Sequence, residues 1–356
     1  MKKKYQNQKY KRYSAQRARS EKKARKQTKK RNRGVLTQPK PRRLKKRITV
    51  VAPTLFSLTK NPDETIQFFY ELEAAFDKSS RDKFVFIDLK SVTEMTSEVI
   101  VVLISRIEEE KLRNDRPSYG NVPKSDVARD MLASSGFYDF VTPNIRVKKP
   151  SRGAIEKCDD NIVDAAKASQ LLDKVSESLK MSIAQEDGHQ TTAIECMTNT
   201  REHASGSQRS HKGTKKWWFS VYRNPNNKVA QFAFVDLGIG IFASLERHKI
   251  QLLANIKAKL GSERRSDVLK ELLTVQPAGN GLSPTKRTST RKGYRGKGLP
   301  NIARRNREKQ TRRLRIISND VFADVEKSDY RMLEQEFPGT IICWEHWTTD
   351  YEQQYD

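Results

Sequence analysis

Cysteine is scarce in this sequence. Cys158, Cys196 and Cys343 are odd in number, scattered, and never paired as C-x-x-C. That excludes a disulfide framework or a zinc ribbon and suits a reducing compartment. The five histidines lack metal-type spacing, which argues against a histidine-built metal centre. No run approaches the roughly 18 apolar residues of a membrane span. No apolar stretch follows the charged N-terminus, so no secretory signal is expected. Apolar residues are also few, at 35%, so they must be concentrated to build a core. Acid is the scarcer charge, 43 Asp and Glu against 70 Lys and Arg, for a formal net charge of +27. The expectation is a soluble cytoplasmic protein with no membrane partner.

The positive charge is not spread evenly. Residues 1–47 hold 22 Lys and Arg against Glu21 alone, a net of +21, while the rest of the chain is close to balance. This low-complexity arm cannot bury enough apolar area to offset its ordering entropy, so disorder or a fraying helix is expected. Lys2, Lys3, Lys4, Lys9, Lys11, Arg12, Arg17, Arg19, Lys22, Lys23, Arg25 and Lys26 suit a phosphate backbone. Tyr5, Tyr10 and Tyr13 could stack on bases, which favours RNA or a single strand as partner. A solubilising tail or a basic presequence is the plainer reading.

From 48 to 147 strands and helices alternate, the pattern of a small α/β domain. ITVVAPTLFSL reads as a strand, and DETIQFFYELEAAFDKS as a helix with Asp63 as N-cap. FVFIDL reads as a strand buried on both faces. SEVIVVLISRIEEEKLR and KSDVARDMLASSGFYDFV read as helices, with PSYGNVP a loop between them. The stretch FVFIDLKSVTEMTSEVIVVLISRIEEEK resembles a STAS domain, the anti-sigma-factor-antagonist module. That family carries an Asp-Ser pair where this chain has Thr96-Ser97, so the Ser is matched and the Asp is not. The resemblance implies Ser97 as a phosphoacceptor at a helix N-terminus and a protein partner for this domain. Read from the residues alone, Thr96 or Ser97 simply caps the helix.

Residues 148–356 carry the chemistry. HQTTAIECMTNTREHAS reads as a helix after Gly188, with His189 in a turn. Glu195, Asn199 and His203 recur every four residues, which puts a carboxylate, an amide and an imidazole on one stripe. An exposed helix face has the same pattern. VAQFAFVDLGIGI is an apolar strand ending in Asp236, with Gly238 and Gly240 where backbone could approach a ligand closely. GYRGKGLPNIARRNREK sets Gly293, Gly296 and Gly298 before a helix starting near Leu299. Arg295 and Lys297 lie beside them, an arrangement suited to polyphosphate.

In this order the blocks resemble the GHKL ATP-binding fold of sensor histidine kinases, type II topoisomerases, mismatch-repair ATPases and anti-sigma-factor kinases. ECMTNTREHA is similar to its N-box, DLGIG to its D-x-G-x-G box, GKGL to its second glycine box and PGTIICWEHW to its closing Gly-Thr strand. The resemblance spans about 190–347. It implies an α/β (α+β) two-layer sandwich of the Bergerat type with a mixed sheet, and ATP and Mg²⁺ as cofactors. By position it implies Asn199 as the Mg²⁺ ligand, Glu195 as general base and Asp236 as acceptor for the adenine amino group. Gly238, Gly240, Gly296, Lys297, Gly298 and Leu299 would surround the nucleotide. Thr340 would support Asp236 through water, and His203 would reach a phosphate or fix the helix.

Between the glycine boxes, 241–292 reads as a long lid of helices and a basic flexible loop, able to order over nucleotide or to couple it to a partner. No phosphoacceptor-histidine hairpin precedes the N-box, which counts against a conventional sensor kinase. The chain is also short of the further parts of a topoisomerase. Trp217-Trp218 suit a strand core or a subunit contact as well as base stacking. The leading expectation is a bacterial or mobile-element Mg-ATP-dependent switch regulating a protein or nucleic-acid partner, open to homodimerisation. A Ser/Thr protein kinase resembling anti-sigma-factor kinases is one alternative. A non-catalytic nucleic-acid-binding subunit with structural ATP is the other.

Overall fold

The structure, a computed structural model, describes residues 46–80, 82–114, 118–141, 152–158, 162–203, 216–224, 226, 228–274 and 298–354. Residues 1–45 of the arm, the expected boundary at 147–148, and Gly293 to Lys297 lie outside them, as do the side chains of 113, 114 and His203. Lys46 and Arg47, expected in the arm, open the first strand.

The first part of the chain builds a three-stranded parallel sheet in the order β1 (Lys46–Val51), β3 (Lys83–Asp88), β5 (Tyr119–Gly120). A short parallel pair, β2 (Leu55–Phe56) and β4 (Glu94–Met95), lies beside it. Three helices follow the strands: α1 (Pro62–Lys78), α2 (Ser97–Asn114) and α3 (Asp126–Ser134). Parallel strands need crossovers, and α1 and α2 supply them. Two expectations shift here. The residue flanking α1 is Asn61, and Asp63 sits in the first turn, where its carboxylate accepts from the Glu334 N–H at 3.2 Å. PSYGNVP is not only loop, since Tyr119 and Gly120 form β5.

The second part is a five-stranded sheet ordered β6 (Gly153–Cys158), β7 (Trp217–Arg223), β8 (Val229–Asp236), β10 (Asp329–Trp347), β9 (Arg312–Asp324). Every pairing in it is antiparallel, so the mixed sheet expected above is corrected. The reason is connectivity. β7–β8 and β9–β10 are joined by short turns, and β10 lies between β8 and β9. Strand β6 had no clear period in GAIEKC and was not foreseen.

Alternation along these strands clothes both faces. Trp217, Phe219, Phe232, Phe234, Ile342 and Trp344 face one core, shared with α4 (Ala165–Leu179) and α5 (Ile183–His203). Trp218, Ala233, Val235, Ile341 and Cys343 join the other core, continuous with Phe69, Val99, Val102 and Leu103 of the first part. Trp217 and Trp218 are therefore sheet core on opposite faces, 1% and 3% exposed. Helix α2 packs across β7 and β8, and α1 packs on β10. Residues 46–356 thus form one unit.

Helix α5 begins at Ile183 and runs through Gly188, so His189 is helical rather than in a turn. It is fully buried, stacks on Phe232 at 4.8 Å, and accepts from Trp344 Nε1 at 3.1 Å. The expected lid is also partly corrected. Residues 240–274 form α6 (Gly240–His248), α7 (Ile250–Leu260) and α8 (Arg265–Thr274), whose Phe242, Leu253, Ile256, Val268 and Leu269 are buried in the core. Residues 275–292 are outside the described ones.

Candidate functional site

Three elements meet at one cleft. Helix α5 brings Asn199, the end of β8 brings Asp236, and α9 (Gly298–Arg307) brings its first residues. Of the residues expected to hold a nucleotide, Asn199, Asp236, Gly240, Gly298, Leu299 and Thr340 line this cleft together. Their walls are apolar, built by Phe234, Ile241, Leu245, Leu272 and Ile342.

Asp236 is the buried acid of the cleft. Burial raises its carboxyl to about 6, opposed by hydrogen bonds from the Gly238 N–H, at 2.8 Å to Oδ1, and from Thr340. Thr340 is its cross-strand partner in β10. A backbone turn is required just before it. Gly339 has φ +126°, and a side chain there would run into the Asp236 carbonyl.

Gly298 opens α9 against Asn199, where a β-carbon would lie 2.8 Å from Oδ1. The amide is thereby held at a glycine-made helix start, whose free N–H groups favour anions. Glu195, one turn earlier on α5, is not among the lining residues. Its Oε1 accepts from Asn301 Nδ2 of α9 at 2.9 Å. His203 closes α5.

Sequence reading missed a second layer. Ser318 and Asn319 of β9 grip the turn between Asp236 and α6. Ser318 Oγ accepts from Ile241 N–H at 2.8 Å and lies 3.1 Å from Thr340 Oγ1. Asn319 Oδ1 accepts from Phe242 N–H at 3.2 Å, while its Nδ2 donates to the Ile239 carbonyl at 3.1 Å. No motif marks this pair. Phe234 and Ile342, by contrast, were available from the period of two that aligns them with Asp236 and Thr340. Cys196 also lines the cleft, and burial pushes its thiol well above the ordinary range. Lys249, in the break between α6 and α7, is a further cation there that periodicity could not single out.

Among the described residues, no group of three or more His, Cys, Asp and Glu could hold a metal ion. One amide oxygen suits a hard cation only when the ion's other ligands arrive with it, as phosphate oxygens and water do. Ser97 stands elsewhere. It begins α2 under the sheet, 4% exposed, and its hydroxyl donates to Gln231 Oε1 of β8 at 3.2 Å. It lines a polar pocket with Thr96, Glu98, Arg313 and Arg315, apart from the cleft. Among the described residues no helix is long and apolar enough to cross a membrane. No family model matches the chain, and no curated protein matches it.

Proposed function

We propose that this chain is an Mg-ATP-binding protein of the GHKL type, acting as a nucleotide-dependent switch on a protein or nucleic-acid partner. The observation that carries the reading is convergence: Asn199, Asp236, Gly298 and Thr340, far apart in sequence, line one cleft. A buried acid among apolar walls is a donor–acceptor set suited to an aminopurine. Asp236, fixed by Gly238 and Thr340, would accept from the exocyclic amine. Asn199 would hold Mg²⁺, which neutralises phosphate charge when bound with ATP. The amides at the start of α9 would receive phosphate oxygens. Glu195, oriented by Asn301, would position water or take a proton. The cytosol is our placement, in keeping with three free, buried cysteines.

A second reading, in which ATP is bound but not turned over, is favoured by Glu195 lying outside the lining set. The kinase alternative keeps a separate protein, or Ser97 in its polar pocket, as substrate. Calorimetry with Mg-ATP and a phosphate-release assay, with and without RNA, test these readings. Binding lost in Asn199→Ala, with release lost but binding kept in Glu195→Gln, is expected for the switch. Binding with no release from the parent supports structural ATP, and absent binding in the parent removes both.

A further inference from the structure

The three-stranded parallel sheet has two unlike faces. Val50, Val85 and Ile87 are buried in the core. Residues of the opposite parity face the other way: Arg47, Thr49 and Val51 on β1, Phe84, Phe86 and Asp88 on β3, and Tyr119 on β5. Phe84 and Phe86 alternate with buried neighbours at half-burial, so FVFIDL is buried on one face and not on both. Val51 is 55% exposed and Tyr119 47%.

Register gathers this outer set into one patch. Arg47 pairs with Phe84, Thr49 with Phe86, and Phe86 with Tyr119. The Phe84 and Tyr119 rings meet edge to face, centroids 5.2 Å apart. The Arg47 guanidinium lies over the Phe86 ring at 4.6 Å and is steadied by Nε donating to Thr49 Oγ1 at 3.0 Å. Lys46 and Lys83, a register pair at the end of the sheet, are exposed but have the parity of the core face. Half-exposed rings interleaved with an arginine plane form a stacking surface. Any base can lie on it by its π-face, while a nearby cation meets a phosphate.

Charge selects the occupant. The protein carries +27 overall, and 22 Lys and Arg against one acid lie within residues 1–47, the stretch that leads into β1. Two such copies repel, whereas a polyanion is drawn in. Duplex bases are already stacked on each other, so rings of this kind favour an unpaired strand. We propose that the outer face of the β1–β3–β5 sheet binds single-stranded nucleic acid, with bases stacked on Phe84, Phe86 and Tyr119 and a phosphate met by Arg47. This site is independent of the nucleotide cleft.

The test is fluorescence anisotropy of the full chain with labelled oligouridine and oligothymidine of about 16 nucleotides, over a salt series. Tyr119→Ala and Phe86→Leu are each expected to weaken binding about tenfold with an unchanged salt slope. Arg47→Ala should reduce that slope by about 0.7. Ultraviolet cross-links should fall on the peptides holding Phe84, Phe86 or Tyr119. Tyr119, already half exposed, carries the test if Phe86→Leu does not fold. Unchanged affinity in Tyr119→Ala, at an unchanged melting temperature, overturns the proposal. So does duplex binding as tight as single-strand binding. A dimer seen by sedimentation that Tyr119→Ala dissolves assigns the face to another partner and also overturns it. Asn199→Ala should leave the anisotropy unchanged, which separates this result from that at the cleft.

Discussion

Gly298 and Asn199 touch across two helices, so tightly that a β-carbon on Gly298 would lie 2.8 Å from the Asn199 Oδ1. The first turn of α9 and the amide on α5 are thus one device. Gly298→Ala should push the amide aside with little loss of fold, because alanine suits a helix start. Mg-ATP affinity is expected to fall about tenfold, near 1.4 kcal/mol, by calorimetry. An affinity equal to that of the parent would detach this contact from nucleotide binding.

Asp236 and His346 give opposite pH dependences in nearly the same window. Burial lifts Asp236 to about 6 from an ordinary 3.8. The native state therefore binds its proton more tightly than the unfolded chain, and the cost present above pH 6 is relieved as pH falls toward 4. Burial holds His346 down at about 4 from 6.5. Here the unfolded chain takes the proton first, so stability present above pH 6.5 is lost as pH falls toward 4. His189, also lowered by burial, adds in the same direction as His346. Asp236→Asn should raise stability at pH 7 by on the order of 2 kcal/mol and steepen the loss between about pH 6.5 and 4. Urea midpoints across that range measure both, while nucleotide binding is expected to disappear. A curve parallel to the parent's would mean that Asp236 titrates as an ordinary carboxylate.

The Asn319 clamp separates side chain from backbone. Its φ of +51° lies in the left-handed region, where alanine is strained and glycine is not. Asn319→Ala loses two hydrogen bonds and adds that strain, so a destabilisation of about 2–3 kcal/mol is expected. Asn319→Gly should recover about 1 kcal/mol of it yet show the same loss of nucleotide affinity. Equal stability in the two variants would remove backbone strain from the account.

Arg106 ties the α2 layer to the cleft. Its guanidinium, 7% exposed, pairs with Glu73 at 2.8 Å and donates to the Pro338 carbonyl at 3.3 Å, one residue before Gly339-Thr340. Arg106→Met should destabilise the fold by about 2–4 kcal/mol, and Arg106→Lys should recover little of it, since one ammonium cannot span both contacts. Thermal melts with and without Mg-ATP measure this, and the Met variant is expected to gain less from nucleotide than the parent does.

Some of this architecture could be read from the chain alone. VAQFAFVDLGIGI announced β8, its buried acid and its glycines, because alternation and a strand-ending Asp are local properties. The stripe Glu195–Asn199 was equally local, though only the fold shows Glu195 turned to Asn301. Other features depend on partners distant in sequence. GAIEKC becomes a strand by pairing with WWFSVY, and Tyr119-Gly120 by reaching β3. His189 looked like a turn residue beside Gly188, but burial against Phe232 and Trp344 keeps the helix running through it. Ser97 was legible as a helix start, but its bond to Gln231 of β8 was not.

The double-sided packing of the large sheet bears on how such a protein can change over evolutionary time. Trp218, Val235, Ile341 and Phe337 share one core with the first part of the chain, where Phe140 meets the Trp218 ring at 5.4 Å. A fragment starting at residue 152 would bare this patch to water and invite aggregation. The two parts are therefore not interchangeable cassettes. Any lineage that swapped the first part for another would have had to rewrite every second residue of β7, β8 and β10 with it.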